Sequence, residues 1–396
     1  MSEKKLVWQK KELPNSVQKI GLILLVIGIV LGILSFFLDK ERALYNYLLA
    51  FSFVASIAIG ALFLFALEYV AGADWSVPIR RVVEFFASFV ILLIILALPL
   101  IFNLKELFEW AKPEVIQNDE ILQGKSGYLN NTFFIIRLII YCGIWSLFYF
   151  ALSKNSKKQD TTKEQILTKR NIILSAVFIP LFAITTTVFS IDWLMSIEPH
   201  WFSTIFGVYF FAGSVVGALA AVTLTTVLLK ENGYLHPSMI NDHYFSLGAL
   251  LFAFINFWAY IAFSQFMLIW YANLPEETFW FIARWKDGWA FVSLALIIVN
   301  FVVPYSLLLS QPSKMNPKRL KFASIWILFS HLLDLYWLIM PSLHSEKSGL
   351  FYFILELAFP VAFIGALILV FYYNSKKYNL VPIGDPKLQR GLDFRI

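Results

Sequence analysis

The chain has 396 residues, 59% hydrophobic, 18% aromatic and only 15% charged, with 32 lysines and arginines against 26 acids and a net charge of +6. Soluble domains carry about a quarter charged residues, so this balance excludes an ordinary soluble domain, and the lack of alternating segments of about ten residues excludes a transmembrane β-barrel. A single cysteine, Cys142, excludes an internal disulfide and, by itself, a structural zinc or an iron–sulfur cluster; it reads as a small core residue.

The first 16 residues are polar and basic and read as an N-terminal tail. The apolar run that follows is too long for a signal-peptide core and has no convincing small-residue cleavage site, so it reads as an uncleaved first span. Runs long enough to cross about 30 Å of hydrocarbon fall near 17–38, 46–70, 82–102, 131–152, 171–190, 204–229, 244–271, 289–310, 321–340 and 350–373. The expected fold class is an all-α integral membrane protein of about ten transmembrane helices, with a transmembrane domain over 17–373 and a C-terminal tail over 374–396. Pro99, Pro180, Pro304 and Pro360 interrupt spans as kinks, and Gly28/Gly32 and Gly213/Gly217 are small-xxx-small pairs that permit close helix packing.

Basic residues alternate between the two sides. The N-tail (Lys4, Lys5, Lys10, Lys11, Lys19), the loops after even-numbered spans (among them Arg80, Arg81, Lys154, Lys157, Lys230 and Lys314) and the C-tail hold most of them. The other loops hold Lys40, Arg42, Lys105, Lys112, Lys125, Arg284, Lys286 and Lys347. This roughly three-to-one bias predicts cytoplasmic N- and C-termini. It also explains the sequence pI near 9.1 without nucleic acid as a partner.

Three outward connections stand out. In NLKELFEWAK (103–112), Leu104, Leu107, Phe108 and Ala111 follow i, i+3, i+4, i+7, the pattern of a short amphipathic interfacial helix. In PEETFWFIARWKDGW (275–289), Phe279, Trp280, Phe281, Trp285 and Trp289 suit the headgroup belt. For both, plain membrane anchoring and a platform for extramembrane subunits are open readings. The third, SIDWLMSIEPHWFSTIFGVYFFAGS (190–214), reads as an outward turn whose tryptophans anchor at the headgroups, whose acids face water or a partner, and whose segment 199–204 leads into the sixth span.

Ionisable side chains inside spans are costly, and each is a functional candidate by default. An outer-half group comprises Arg137, His331, Asp334 and Glu356, with Asp192 and His200 at the rim. His331 and Asp334, three apart, share a helix face. The short loop between the last two spans predicts that those spans are neighbours and that Glu356 meets Asp334. Two readings stand: a structural ion pair in which Arg137 neutralises an acid, or a proton relay. An inner-half group comprises Glu68, Glu84, Asp242 and His243. With Arg80 and Arg81 nearby, it is either an interfacial salt bridge fixing a tight turn or the mouth of a proton-uptake route. Asn256, Gln265 and Asn300 add neutral polar groups that bond across helices or hold water.

Of five histidines, His200, His236, His243, His331 and His344, only His331 lies deep in a span, whereas a membrane b-haem usually needs two facing ones. No Walker, dinucleotide or HExxH motif is present. No metal cofactor is therefore expected on this chain, and redox centres would belong to partners or to a membrane-soluble carrier.

The stretch DWLMSIEPHWFSTIFGVYFFAG (192–213) resembles the signature of the ActF family, membrane subunits of bacterial Alternative Complex III, within the NrfD/polysulfide-reductase superfamily. The resemblance implies two four-helix bundles plus two flanking helices in the bacterial inner membrane. It implies a quinol:cytochrome c (or terminal oxidase) oxidoreductase whose iron–sulfur and c-haem centres sit on partners: an ActC-like membrane subunit, an iron–sulfur subunit and c-type cytochrome subunits, with lipids around them. The family role of such a chain is scaffolding, proton translocation or a contribution to quinone binding. His200, in EPHW, is the nearest quinone-binding candidate, and a structural turn is its competing reading. A proton-coupled secondary transporter and a purely structural membrane anchor are the alternatives.

Overall fold

The structure, a computed structural model, describes residues 10–286, 288–343 and 350–396. Lys4, Lys5, His344, Lys347 and most of the expected N-terminal tail lie outside the described residues. Within the described residues the chain is helical and contains no strand. Among the described residues, ten helices are long and apolar enough to cross a membrane: α1 (Asn15–Leu38), α2 (Lys40–Ala71), α3 (Val77–Ile101), α4 (Asn131–Thr162), α5 (Gln165–Ile197), α6 (Phe206–Glu231), α7 (Asn241–Ala272), α8 (Trp289–Leu308), α9 (Pro317–Ser342) and α10 (Ile354–Lys377). Each corresponds to one run expected from the sequence.

Helix ends follow local chemistry. Asp39 caps α2 through the Arg42 N–H at 3.1 Å, Asn130 caps α4 through the Phe133 N–H at 2.8 Å, and Asn316 caps α9 just before Pro317. Gly72, at φ +64°, closes α2 in the left-handed conformation that a side chain disfavours.

The helices pack as two four-helix bundles and a flanking pair. In the first bundle α2, α3, α4 and α5 pack as a ring; in the second, α6, α7, α8 and α9 do. The bundles meet chiefly through α2 against α6, with α5 on α6 and α9 on α2. This position explains why 89% of the apolar window of α2 and 83% of that of α6 are buried, against 22% for α1. The flanking pair is α1 and α10. Glycines bring the two close: a Cβ at Gly28 would lie 2.4 Å from the Ala362 nitrogen, and one at Gly365 would lie 2.6 Å from the Leu25 nitrogen.

Contrary to the expectation that the last two spans are neighbours, α10 packs mainly on α1, α2 and α3, while α9 packs on α6. Toward the face that carries Lys10 and the C-terminal tail, here the terminus face, the α1–α10 pair leaves an apolar cleft of about 580 Å3, with Phe53, Ile57, Leu328 and Phe371 in its wall.

The opposite face, here the loop face, is lidded. Leu104, Leu107, Phe108 and Ala111, the residues of the amphipathic pattern, are buried, and so is Trp110. They do not form one interfacial helix: Phe108 is extended and separates two short helical turns. Phe108 stacks on Trp110 at 5.0 Å and reaches Trp193 and Phe134, so the segment plugs the end of the first bundle. Trp280 similarly turns inward, 4.4 Å from Trp201 and 5.2 Å from Trp337, and is no headgroup anchor, whereas Trp285 is exposed. Beside it, Arg284 is buried and caps the end of α9, donating to the carbonyls of Trp337 at 3.1 Å and Leu338 at 2.8 Å.

Candidate functional site

Asp334 and His331 lie on one face of α9, each 2% exposed. That face meets α6 at two glycines four residues apart. A Cβ at Gly217 would come within 2.7 Å of His331 Cδ2, and one at Gly213 within 3.3 Å of Cε1, so the small residues make the room that the imidazole fills. Tyr209, four residues before Gly213 and on the same face of α6, donates its hydroxyl to Asp334 Oδ1. Trp258 of α7 donates its indole N–H to Oδ2 at 3.2 Å. His331 Nε2 lies 2.7 Å from Ser56 Oγ of α2, and Phe53 of α2 packs on the ring at 5.8 Å. Next to His331, Ser330 donates to Asn300 at 2.6 Å, where α8 widens into a π-helical segment, Ile297–Val302.

This site draws residues from α2, α6, α7, α8 and α9 and lies where the bundles meet. Its carboxylate is held by two neutral donors, and no Lys or Arg pairs with it among the described residues. Burying a carboxylate without a cation is costly, so this group can gain a proton without breaking an ion pair. The neighbouring imidazole, phenol and hydroxyls supply further exchangeable protons.

The other outer-half residues do not join it. Arg137 and Asp192 form their own ion pair inside the first bundle, with Arg137 Nε 3.0 Å and 3.1 Å from the two carboxylate oxygens and Nη2 2.9 Å from Oδ1. Tyr128 covers this pair. Its ring lies 3.8 Å from the guanidinium carbon, and its hydroxyl donates to Asp192 at 3.2 Å. Burial, then the Asp192 charge, pushes this phenol up to about 12, so it remains a donor. The acid that Arg137 neutralises is Asp192.

Glu356 does not meet Asp334. It pairs with Arg42 of α2 and accepts from Tyr336 at 2.9 Å, because α10 sits on the α2 side of the molecule and Asp334 faces α6 and α7.

The inner-half acids are locked at the terminus face. Glu68 accepts from Arg80 at 2.7 Å, and Arg80 also pairs with Asp385 of the C-tail. Glu84 pairs with Arg81 and accepts from Ser153 at 2.5 Å; Arg81 also reaches Asp160 at 2.7 Å, and Lys157 approaches Glu84 at 3.4 Å. Each of these four carboxylates, Glu68, Asp385, Glu84 and Asp160, has a guanidinium partner. His243 accepts the Ile240 N–H at Nδ1, so Nε2 carries the proton donated to the Gly391 carbonyl at 2.8 Å. Asp242 accepts the Ile396 N–H at 3.4 Å. This pair therefore holds the C-tail down. Asp385 and Asp160 went unnoticed in the sequence because both lie in polar segments.

The 190–214 stretch is largely core, with Phe202, Thr204 and Val208 exposed. Trp193 and Trp201 are buried, Trp193 donates to Tyr141 at 2.7 Å, and Asp192 has no exposed area. His200 lies 2.6 Å from Asp119 and 4.0 Å from Glu109, pinning the 198–204 turn to the loop-face lid. Of the neutral polar candidates, Asn256 bonds within its own helix at 2.7 Å and Gln265 accepts from Ser203 at 3.2 Å, so only Asn300 reaches the central site. Tyr209, Trp258 and Ser56 were not singled out by sequence. The spacing of Tyr209, Gly213 and Gly217 at i, i+4 and i+8 was the available signal for the first of them.

Among the described residues no three His, Cys, Asp or Glu side chains converge to hold a metal ion. Compared with known proteins, the chain matches no protein-family model and no curated protein.

Proposed function

We propose that this chain is a membrane subunit of a respiratory quinol:cytochrome c (or terminal oxidase) oxidoreductase, akin to the ActF subunits of Alternative Complex III. In this reading it sits in the bacterial inner membrane with both termini cytoplasmic, carries redox subunits on its lidded loop face and conducts protons through the Asp334–His331 site. Its electrons and metal centres belong to partners: an ActC-like subunit, an iron–sulfur subunit and c-type cytochromes. The observation that supports proton conduction best is the Asp334 carboxylate, buried within the second bundle on Tyr209 and Trp258 without a cation. The involvement of His200 with Asp119 and Glu109 supports a positioning role for the EPHW turn and not a quinone site.

Gentle solubilisation of native membranes, pull-down of this chain and an optical redox spectrum test the reading. Co-purification of c-haem and a large iron–sulfur protein, with haems reduced by quinol, is the expected result. A colourless chain purified alone overturns it.

A proton-coupled secondary transporter is the second reading. It is favoured by the π-helical interruption of α8 at Asn300, beside the central site and just before Pro304, because broken helices line transporter sites. Substrate-dependent proton uptake by the chain alone in liposomes would select it.

A further inference from the structure

On the terminus-face half of the molecule, α3, α4 and α10 enclose a cleft of about 690 Å3. Its rim carries Lys154, Lys157 and Lys377. Lys157 is partly committed: it lies 3.4 Å from Glu84 and 4.0 Å over the Tyr378 ring. Glu84 and Asp160 are balanced by Arg81 and Lys157, so that cluster is neutral. Lys154 and Lys377 are exposed, and among the described residues no carboxylate pairs with either, so the rim keeps unbalanced positive charge.

The floor of the cleft is apolar and lies deeper. Phe150 precedes Lys154 by one helical turn on α4, and Val370 precedes Lys377 by about 10 Å of helix on α10. Ile91 and Leu92, at the 3-10 segment that interrupts α3, complete this floor near mid-span.

A basic rim at the interface continuous with an apolar trough toward mid-membrane matches one ligand chemistry: a phosphate joined to a hydrocarbon chain. We propose that the cleft is a binding site for an anionic phospholipid of the terminus-face leaflet. Its phosphate lies at Lys154 and Lys377, and one acyl chain lies along Phe150, Val370 and Leu92. A free anion would leave the trough unused, and a neutral lipid would leave the lysines without a counter-charge. The bound lipid would hold α10, and with it the α1–α10 pair, against the first bundle. The site is separate from Asp334 and does not depend on its role.

The test uses the full chain in mild detergent, incubated with equal amounts of phosphatidylglycerol and phosphatidylcholine and weighed by native mass spectrometry. The expected result is a single phosphatidylglycerol adduct in clear excess over phosphatidylcholine. The Lys154→Ser/Lys377→Ser variant should lose that preference by roughly tenfold. Leu92→Trp, which fills the trough, should reduce both adducts. Because both lysines are exposed, the lysine variant decides the matter even where Leu92→Trp does not assemble. Equal retention of the two lipids by the unaltered chain, or an unchanged preference in the lysine variant, overturns the proposal. Displacement of phosphatidylglycerol by millimolar inorganic phosphate assigns the rim to a free anion and overturns the lipid assignment.

Discussion

Gly217 of α6 lies directly under the imidazole of His331, closely enough that a Cβ at 217 would sit 2.7 Å from Cδ2. The ring is also held by Ser56 and packed on by Phe53, so it has little room to yield. Gly217→Ala should therefore destabilise the protein by about 1–3 kcal/mol, the usual cost of overpacking. Thermal unfolding in detergent measures it. A variant as stable as the parent would mean that α6 and α9 can separate without cost.

Asp334→Asn keeps the size of the side chain and removes its proton-carrying capacity. One amide oxygen remains for Tyr209 and Trp258, which compete for it. Assembly should be retained while protons moved per electron fall. Proton release by the reconstituted complex, measured beside quinol oxidation, checks the split. Unchanged coupling would leave this site a packing feature.

Arg137→Met leaves Asp192 buried without its cation, and removing one partner of a buried pair costs about 3–5 kcal/mol. Arg137→Met combined with Asp192→Leu should recover much of that loss, because two apolar side chains carry no desolvation penalty. Comparing the three unfolding midpoints tests this. A double variant no better than the single one would show that the pair does more than neutralise itself.

The loop-face clamp should weaken in acid. The Leu122 N–H, then His200, hold the Asp119 carboxyl below its usual range. A carboxyl depressed in the folded state contributes stability that is present above its unfolded value of about 3.9 and lost as the pH falls through the folded value. Amide protection over 120–125, taken relative to the intrinsic exchange rate at each pH, should therefore fall on acidification below that range. Asp119→Asn should flatten this acid limb while raising exchange at neutral pH, since the Asn side chain is a weaker cap. An identical acid limb in both proteins would assign the effect to another carboxylate.

The spans were legible because a twenty-residue apolar run has few alternative fates, and ten of them alternate with basic loops. Within spans, His331 and Asp334 could be placed on one face because helical spacing fixes it. What the face met could not be read: Glu356 seemed near Asp334 in the chain, yet α10 crosses to α1 and α2. Neighbourhood in a bundle depends on which surfaces fit, and the glycines that settle it here carry no polar signal. The signature stretch misled for a related reason. Tryptophans at span ends commonly mark the headgroup region, but Trp193 and Trp201 lie beneath the folded 102–130 and 275–283 segments, whose lidding role depends on tertiary packing.

The α1–α10 contact joins two helices that have the other eight described spans between them in the chain. Gly28 cannot reach Ala362, nor Leu25 reach Gly365, until the ribosome has made α10. Until then the small-residue face of α1 must wait in lipid without its partner. Docking of α1 onto α10 thus waits for the eight spans between them, and a chain stopped before α10 leaves that face unmatched.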